Sequence, residues 1–211
     1  MEWFEKLKSW LEIKDTIEIF EAETNSYRGH LSKAETNSYR GCYSTKAIKA
    51  FEPIVRVKSK YFIEYSQIEK KFGQIPDLEF ANSLVAYYLM IEDQDPDSLI
   101  RSYLDSLPKS TESFDLSKEL KQIEGLVNGH KYLDYLESLE SDAFALYTWH
   151  LTQKYYKIEL FDEFYSKYIH YRYLVGSRIF GYERNGIQQS GLVPYIDMFN
   201  HSFEPNSIWD I

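Results

Sequence analysis

Three polar side chains lie in and directly after an apolar segment near the end of the chain. Residues 192–199 read LVPYIDMF, which predicts a short buried strand or one turn of helix. Asp197, Asn200 and His201 add a carboxylate, an amide and an imidazole, and the EPN sequence at 204–206 predicts a tight turn. Unpaired buried polar groups cost about 1–3 kcal/mol each, so these side chains need backbone or ligand partners. An Asx-type turn with a hydrogen-bonded histidine satisfies them without a ligand.

The wider pattern around these residues favours a binding site. The segment SRIFG at 177–181 precedes LVPYIDMFNHSFEPN at 192–206, so the spaced motifs SRxFG and LVPxxDMxNHSxxPN occur in this order. Together they resemble the SET-domain protein methyltransferases of the subgroup that includes the Rubisco large-subunit lysine methyltransferase and the actin-histidine methyltransferase. The resemblance implies methyl transfer from S-adenosylmethionine to a lysine, or alternatively a histidine, side chain of a protein substrate.

The resemblance also assigns roles to single residues at matching positions. Asn200 and His201 correspond to the family's Asn-His pair, which helps to hold S-adenosylmethionine, and Asp197 matches an aspartate of the same segment. Arg178 matches an arginine that lies near the methyl donor, and a guanidinium fork suits the carboxylate of the donor's amino-acid tail. A surface or interdomain salt bridge is the alternative role for Arg178.

A repeated octamer lies ahead of a second segment with this resemblance. AETNSYRG occurs at 22–29 and again at 34–41, and two copies do not make a repeat fold. We interpret them as a recent in-frame duplication or an error in the assembled sequence. The second copy leads into RGCYSTKAIKAF, which resembles the family's opening segment and implies that Ser38, Arg40 and Cys42 lie near the donor. Taken alone, the Arg-Gly pair is typical of an ordinary hairpin turn.

The elements that must position these residues mix strands and helices. Apolar spacing predicts an amphipathic helix over 3–11 and a strand over 13–20. A second strand is predicted over 51–63, which is rich in β-branched and aromatic residues, followed by a break at SQIEKKFGQIPD. Further helices are predicted from residue 78, within 116–126 and, almost without interruption, over 131–180. His150 and His170 on the last helix are interpreted as packing residues.

The resemblance implies an α+β fold in which small SET-type β-sheets flank a large helical insertion. We expect one SET-like domain, with the N-terminal helix and strands in 1–76, the helical insertion in 77–176 and the donor motif in 177–211. Relatives continue into a strand and a tyrosine-bearing segment that completes the donor pocket. We expect that tyrosine to lie beyond Ile211, so the last strands of the SET fold are missing here and no catalytic residue is assigned.

Composition narrows the function classes. Twenty-four basic and 33 acidic residues give a formal net charge of −9, which disfavours direct nucleic-acid binding and suits a basic protein substrate. Cys42 is the only cysteine, which excludes an intramolecular disulfide and a cysteine-based zinc cluster, and the five histidines lack metal-ligand spacing. We predict no metal. The chain lacks an apolar segment of about 20 residues, so we expect a soluble protein without membrane partners. We also expect a monomer that is located in the cytoplasm or nucleus.

Three interpretations therefore remain for the sequence. The first is a C-terminally incomplete, S-adenosylmethionine-dependent protein-lysine methyltransferase. The second is a truncated, catalytically inactive SET-like module that acts in protein-protein binding. The third is a helical interaction protein whose tail resembles the motif by chance, which the correct order of the motif residues disfavours.

Overall fold

The computed structural model describes residues 2–13, 17–24, 37–109, 129–153, 160–199 and 207–209. Within 18–24, 37–41 and 129–132 it describes the backbone and, of the side chains, only that of Lys131. The helices of this part of the chain are α1 (Glu2–Trp10), α2 (Tyr65–Phe72), α3 (Ala81–Glu92), α4 (Arg101–Leu104), α5 (Gly129–Gln153) and α6 (Phe161–Gly176). The strands are β1 (Ile17–Thr24), β2 (Asn37–Ser44), β3 (Ile63–Glu64), β4 (Ile179–Arg184) and β5 (Ile187–Leu192).

The chain divides into two compact units. The first consists of Met1–Phe62 together with Val193–Ile211, and the second of Ile63–Leu192. The domain boundaries predicted at residues 76 and 176 remain predictions. Among the described residues, the helices are too short or too polar to cross a membrane.

The first unit combines α1 with a two-stranded sheet. The apolar face of α1 is buried through Phe4 and Leu7, as its amphipathic spacing predicts. β1 and β2 pair antiparallel along their whole length. Arg40 and Gly41 lie inside β2, opposite Glu21 and Phe20, so the interpretation of this Arg-Gly pair as a turn is wrong.

The strand predicted over 51–63 is also wrong. This stretch is irregular, with a 3-10 turn over Ser59–Tyr61, and only Ile63 joins a sheet. Its β-branched residues fit a strand, but Pro53 lacks a backbone donor and Phe51 has a φ of +65°. Strand preference depends on packing against a neighbouring strand, and among the residues that the structure describes no strand pairs with 51–62.

The second unit combines a three-stranded antiparallel sheet, in the order β3-β5-β4, with helices α2 to α6. α2 occupies the stretch that was expected only to break the pattern. It ends at Gly73, whose φ of +80° suits a residue without a side chain and whose N–H donates to the Glu69 carbonyl. The continuous helix predicted over 131–180 is wrong at its end, because α6 stops at Gly176 and Phe180 lies in β4. The helix predicted within 116–126 lies outside the described residues.

The helical core of this unit is aromatic. α3 is buried on nearly all sides, and α6 packs against it. Tyr87, Phe164 and Tyr168 are fully buried there, and the Tyr87 hydroxyl lies 2.7 Å from Nδ1 of His150. His150 is therefore a packing residue, as predicted.

One buried carboxylate organises the start of α3. Asp142 of α5 accepts hydrogen bonds from the backbone N–H of Glu79 at 2.6 Å and of Phe80 at 3.1 Å. It also accepts one from the Ser83 hydroxyl at 2.5 Å, and Tyr168 of α6 donates to that hydroxyl. Burial raises the pKa of the Asp142 carboxyl, although its hydrogen bonds act in the opposite direction. The carboxylate thus joins three helices and satisfies donors that α3 cannot pair internally.

Replacing this carboxylate is expected to destabilise the protein. Asp142→Asn turns one acceptor into an NH₂ group that faces existing donors, and we expect a loss of about 2–3 kcal/mol in the free energy of unfolding. Chemical denaturation measures the change. Asp134→Asn, at an exposed position of the same helix, is the matched control and should stay within about 0.5 kcal/mol of wild type. Equal stability of the two variants would contradict the bridging role.

The three-stranded sheet requires a glycine at its centre. Gly191 of β5 pairs with Glu64 on one side and with Phe180 on the other. A Cβ at Gly191 would lie 2.7 Å from the Ile63 carbonyl oxygen and 3.1 Å from the Cα of Glu64. The buried Glu64 carboxylate accepts hydrogen bonds from Tyr182 and Gln67 and forms an ion pair with Arg184 at 2.7 Å. β3 therefore lies close to the backbone of β5 at Gly191, and its Glu64 side chain also binds Tyr182 and Arg184 of β4.

Gly191→Ala is expected to lower the free energy of unfolding by about 1–3 kcal/mol, because the added methyl group forces two backbones apart. Gly181→Ala in β4 is the matched control, since a Cβ there would meet nothing within 4 Å. Thermal and urea unfolding of both variants measure the difference. If Gly191→Ala were as stable as wild type, the two strands could move apart at no cost, which would contradict the requirement for glycine at this position.

Candidate functional site

The segment that precedes the Asn-His motif forms a tight turn. Tyr195 has a φ of +79°, and a 3-10 turn follows over Ile196–Met198. The backbone N–H groups of Asp197, Met198 and Phe199 donate to the carbonyls three or four residues earlier, at 3.1 to 3.2 Å. Of the two structures predicted for this segment, the helical turn is closer to the one observed.

The conformation of Tyr195 is costly and must be held by packing. A positive φ is a genuine outlier for a bulky residue, and such backbone strain costs about 1–3 kcal/mol. The Tyr195 ring is 1% exposed and stacks on Phe4 of α1, with ring centroids 5.4 Å apart and planes 7° from parallel. Phe199 meets the same ring edge-on at 6.1 Å. The core of the first unit therefore stabilises the strained turn.

The other end of the turn contacts the sheet. The half-buried Cys42 of β2 has its Sγ 3.6 Å from the carbonyl oxygen of Met198, within range of a weak S–H···O hydrogen bond. Asp197, between these contacts, is buried. The structure thus brings Cys42 next to the segment that contains Asp197, although the two are distant in sequence. Both were implied as site residues by the resemblance.

The remaining predicted site residues are described less fully. The backbones of Ser38 and Arg40 lie in β2, opposite Glu23 and Glu21. Arg178 lies in the second unit, at the turn between α6 and β4, where its N–H donates to the Val175 carbonyl. Asn200 and His201 lie outside the described residues. The roles of all these side chains toward a methyl donor therefore stay predictions.

Two residues of this region were not assigned to the site from the sequence. The sequence predicts Tyr195 as part of the apolar segment over 192–199 and Phe4 as part of an amphipathic helix, so neither is distinguished from an ordinary core residue. The Pro194-Tyr195 pair directly after an apolar strand was the available signal, since proline often precedes a residue of unusual φ in a turn. No sequence pattern links Tyr195 to Phe4, 191 positions earlier.

The bend over 193–199 is rich in hydrogen-bond acceptors, several of which already accept hydrogen bonds from the protein itself. A buried carboxylate, at Asp197, and backbone carbonyls gather at one bend beside a half-buried thiol. Ammonium and hydroxyl groups are the partners that such acceptors prefer. S-adenosylmethionine carries an ammonium group and two ribose hydroxyls, so the chemistry of the bend is compatible with it.

A carboxylate also fixes the end of α1, the helix that carries Phe4. Glu12, just after α1, accepts hydrogen bonds from Lys58, from Lys60 at 2.6 Å and from the Tyr61 hydroxyl at 2.6 Å. The hydrogen bond from Lys58, followed by those from Lys60 and Tyr61, lowers the pKa of Glu12 from 4.5 to about 2. The interaction is therefore present above pH 4.5 and is lost as the pH falls toward 2.

This sign leads to a pH-dependent prediction. Glu12→Gln should lower the melting temperature at pH 7, and the difference from wild type should shrink as the pH falls from 4.5 toward 2, because protonation removes the same charge from wild type. Differential scanning calorimetry over this range checks it. Glu5→Gln, at an exposed position of α1, serves as the control. A pH-independent difference for Glu12→Gln would contradict the role of its charge.

Comparison with known proteins supports the fold. No protein-family model matches the sequence, and no curated protein matches it significantly. Among solved structures, the chain is similar to the SET domain of LSMT bound to lysine and AdoHcy, with a TM-score of 0.67 and 16% sequence identity. The similarity covers 96% of this chain and 46% of that one. The predicted α+β fold of SET type, with small sheets and a large helical insertion, is confirmed as a partial SET fold that spans under half of the solved chain.

Proposed function

We propose that the chain is part of an S-adenosylmethionine-dependent protein methyltransferase that acts on a lysine side chain. One conjunction supports this function: the chain has a SET-type fold, and its Asn200-His201 pair directly follows a strained turn that contacts β2. The solved SET domain was bound to lysine and AdoHcy. Lysine is the free amino acid that carries the proposed acceptor side chain, and AdoHcy is the methyl donor after loss of its methyl group. A chance resemblance of the tail would not bring with it the fold over nearly the whole chain.

The proposed roles are those that the resemblance of the motifs implies for each residue. Asn200 and His201 would hold the donor by side-chain and backbone hydrogen bonds, and Asp197 and Cys42 would line the bend before them. Ser38 and Arg40 would approach the donor from β2, and Arg178 would pair with its carboxylate, since a guanidinium offers two parallel N–H donors. Among the residues that the structure describes, none is assigned a catalytic role.

The reaction depends mainly on how the methyl donor and the acceptor amine are positioned. Bound S-adenosylmethionine supplies a methyl group on a sulfonium, which an uncharged amine displaces in line. Alignment of the two reactants can contribute about 7–11 kcal/mol toward the barrier, so residues that hold the donor matter as much as any acid or base. The acceptor must lose its proton, and a desolvated setting lowers the pKa of an amine.

A protein substrate with a basic segment fits this proposal. The net charge of −9 would attract a lysine-rich segment and repel nucleic acid. The SET-type fold leaves the acceptor open between lysine and histidine, and the proposal favours lysine because the similar solved domain held lysine. A catalytically inactive module that binds protein partners is the second candidate.

Donor binding tests the proposal directly. Asn200→Ala in the full-length gene product should weaken binding of S-adenosylmethionine by about 10- to 100-fold, the effect of losing a hydrogen bond worth about 1.5–3 kcal/mol. Isothermal titration calorimetry measures it, with circular dichroism to verify folding. Gln188→Ala, an exposed amide of β5, is the matched control and should bind as wild type does. A folded wild-type protein that binds neither S-adenosylmethionine nor AdoHcy would refute the methyltransferase assignment.

Transfer of label separates the candidates. We expect wild-type protein, incubated with cell extract and S-adenosylmethionine labelled in the methyl group, to label protein, and acid hydrolysis to release labelled methyl-lysine. Release of methyl-histidine would overturn the choice of acceptor. Donor binding without label transfer would favour the inactive binding module.

A further inference from the structure

The turn before Asn200 is held at two points by residues from distant parts of the first unit. Phe4 of α1 stacks on Tyr195 at the start of the turn, and the Cys42 thiol lies against the Met198 carbonyl at its end. Only Phe199 separates Met198 from Asn200. Anything that fixes this turn therefore also fixes the backbone close to the residue that precedes the Asn-His pair.

The first contact opposes the relaxation that backbone strain favours. At a φ of +79°, Tyr195 would relax by rotating to a negative φ, and that rotation would redirect its side chain. Its ring cannot leave freely, because it contacts the rings of Phe4 and Phe199 and because both Tyr195 and Phe4 are almost completely buried. Packing against α1 thus decides which of the two backbone states is populated.

The second contact holds the carbonyl end of the turn. Met198 is the last residue of the 3-10 turn, and its own N–H already donates to the Tyr195 carbonyl at 3.2 Å. The thiol of Cys42 engages the remaining polar group of the Met198 backbone from the neighbouring strand. Movement of the turn away from β2 would break this interaction.

We propose that Phe4 and Cys42 are positioning residues, which hold the turn over 195–198, directly ahead of the Asn-His pair in the sequence, in the conformation that donor binding requires. The inference rests on the proposed function. Cys42 then acts through the backbone of Met198 rather than by contacting S-adenosylmethionine itself, and α1 supports the site through the packing of Phe4 on Tyr195.

Hydrogen exchange and donor binding, measured on the full-length gene product, test this inference together. Phe4→Leu keeps an apolar side chain but removes the stacked ring, and Cys42→Ala removes the thiol. We expect both to speed exchange of the Asp197, Met198 and Phe199 amides and to weaken S-adenosylmethionine binding, by about tenfold for Phe4→Leu and about threefold for Cys42→Ala. Cys42→Ser retains a hydrogen-bond donor at this position. It should therefore restore the amide exchange rates and the affinity for S-adenosylmethionine to within about twofold of wild type.

Leu7→Val is the matched control, because Leu7 lies on the same buried face of α1 and the change leaves the Phe4 ring in place. It should lower the melting temperature without changing exchange at 197–199 or donor affinity. Equal effects of Leu7→Val and Phe4→Leu, or wild-type exchange in both Phe4→Leu and Cys42→Ala, would overturn the inference. If wild type binds no donor, the proposed function fails, and the exchange rates alone still decide whether the two contacts hold the turn.

Discussion

The conformation of one tyrosine governs the turn that directly precedes the Asn-His pair. Tyr195 adopts a backbone angle that its side chain disfavours, and it does so between two aromatic neighbours in a buried setting. A strained residue persists only where its surroundings leave it no better alternative. The first unit therefore depends on α1, since the ring of Phe4 supplies one side of that setting. The anchoring of α1 through Glu12 belongs to the same arrangement.

The second unit combines its aromatic core with buried carboxylates. Asp142 and Glu64 are both carboxylates removed from water, and each accepts several hydrogen bonds from different elements. A buried carboxylate is tolerated only when such partners compensate its lost hydration. The result is specificity of arrangement, because a helix or strand in another register would leave the charge without its donors.

The SET-type fold and the motif support each other because they come from different observations. The motif is a matter of residue identity over 177–206, whereas the structural similarity extends over 96% of the chain at only 16% identity. A small number of residues can therefore carry the resemblance in sequence, while the architecture is maintained by apolar pattern and packing. This is the expected behaviour of a fold, since many sequences of suitable hydrophobic pattern and volume fill the same core.

Local pattern was sufficient for α1, for α3 and for the packing role of His150, because amphipathic spacing and helix length are properties of contiguous residues. The motif alone also indicated the SET-type fold. Local pattern failed over 51–63 and at Arg40-Gly41, because whether an extended segment pairs depends on a partner strand elsewhere in the chain. Tertiary structure alone decided that Phe4 lies on Tyr195, that Cys42 lies at Met198, and that Tyr195 is held at a positive φ. The two contacts join residues more than 150 positions apart, and no local preference of the backbone encodes them. The positive φ of Tyr195 persists because of this packing.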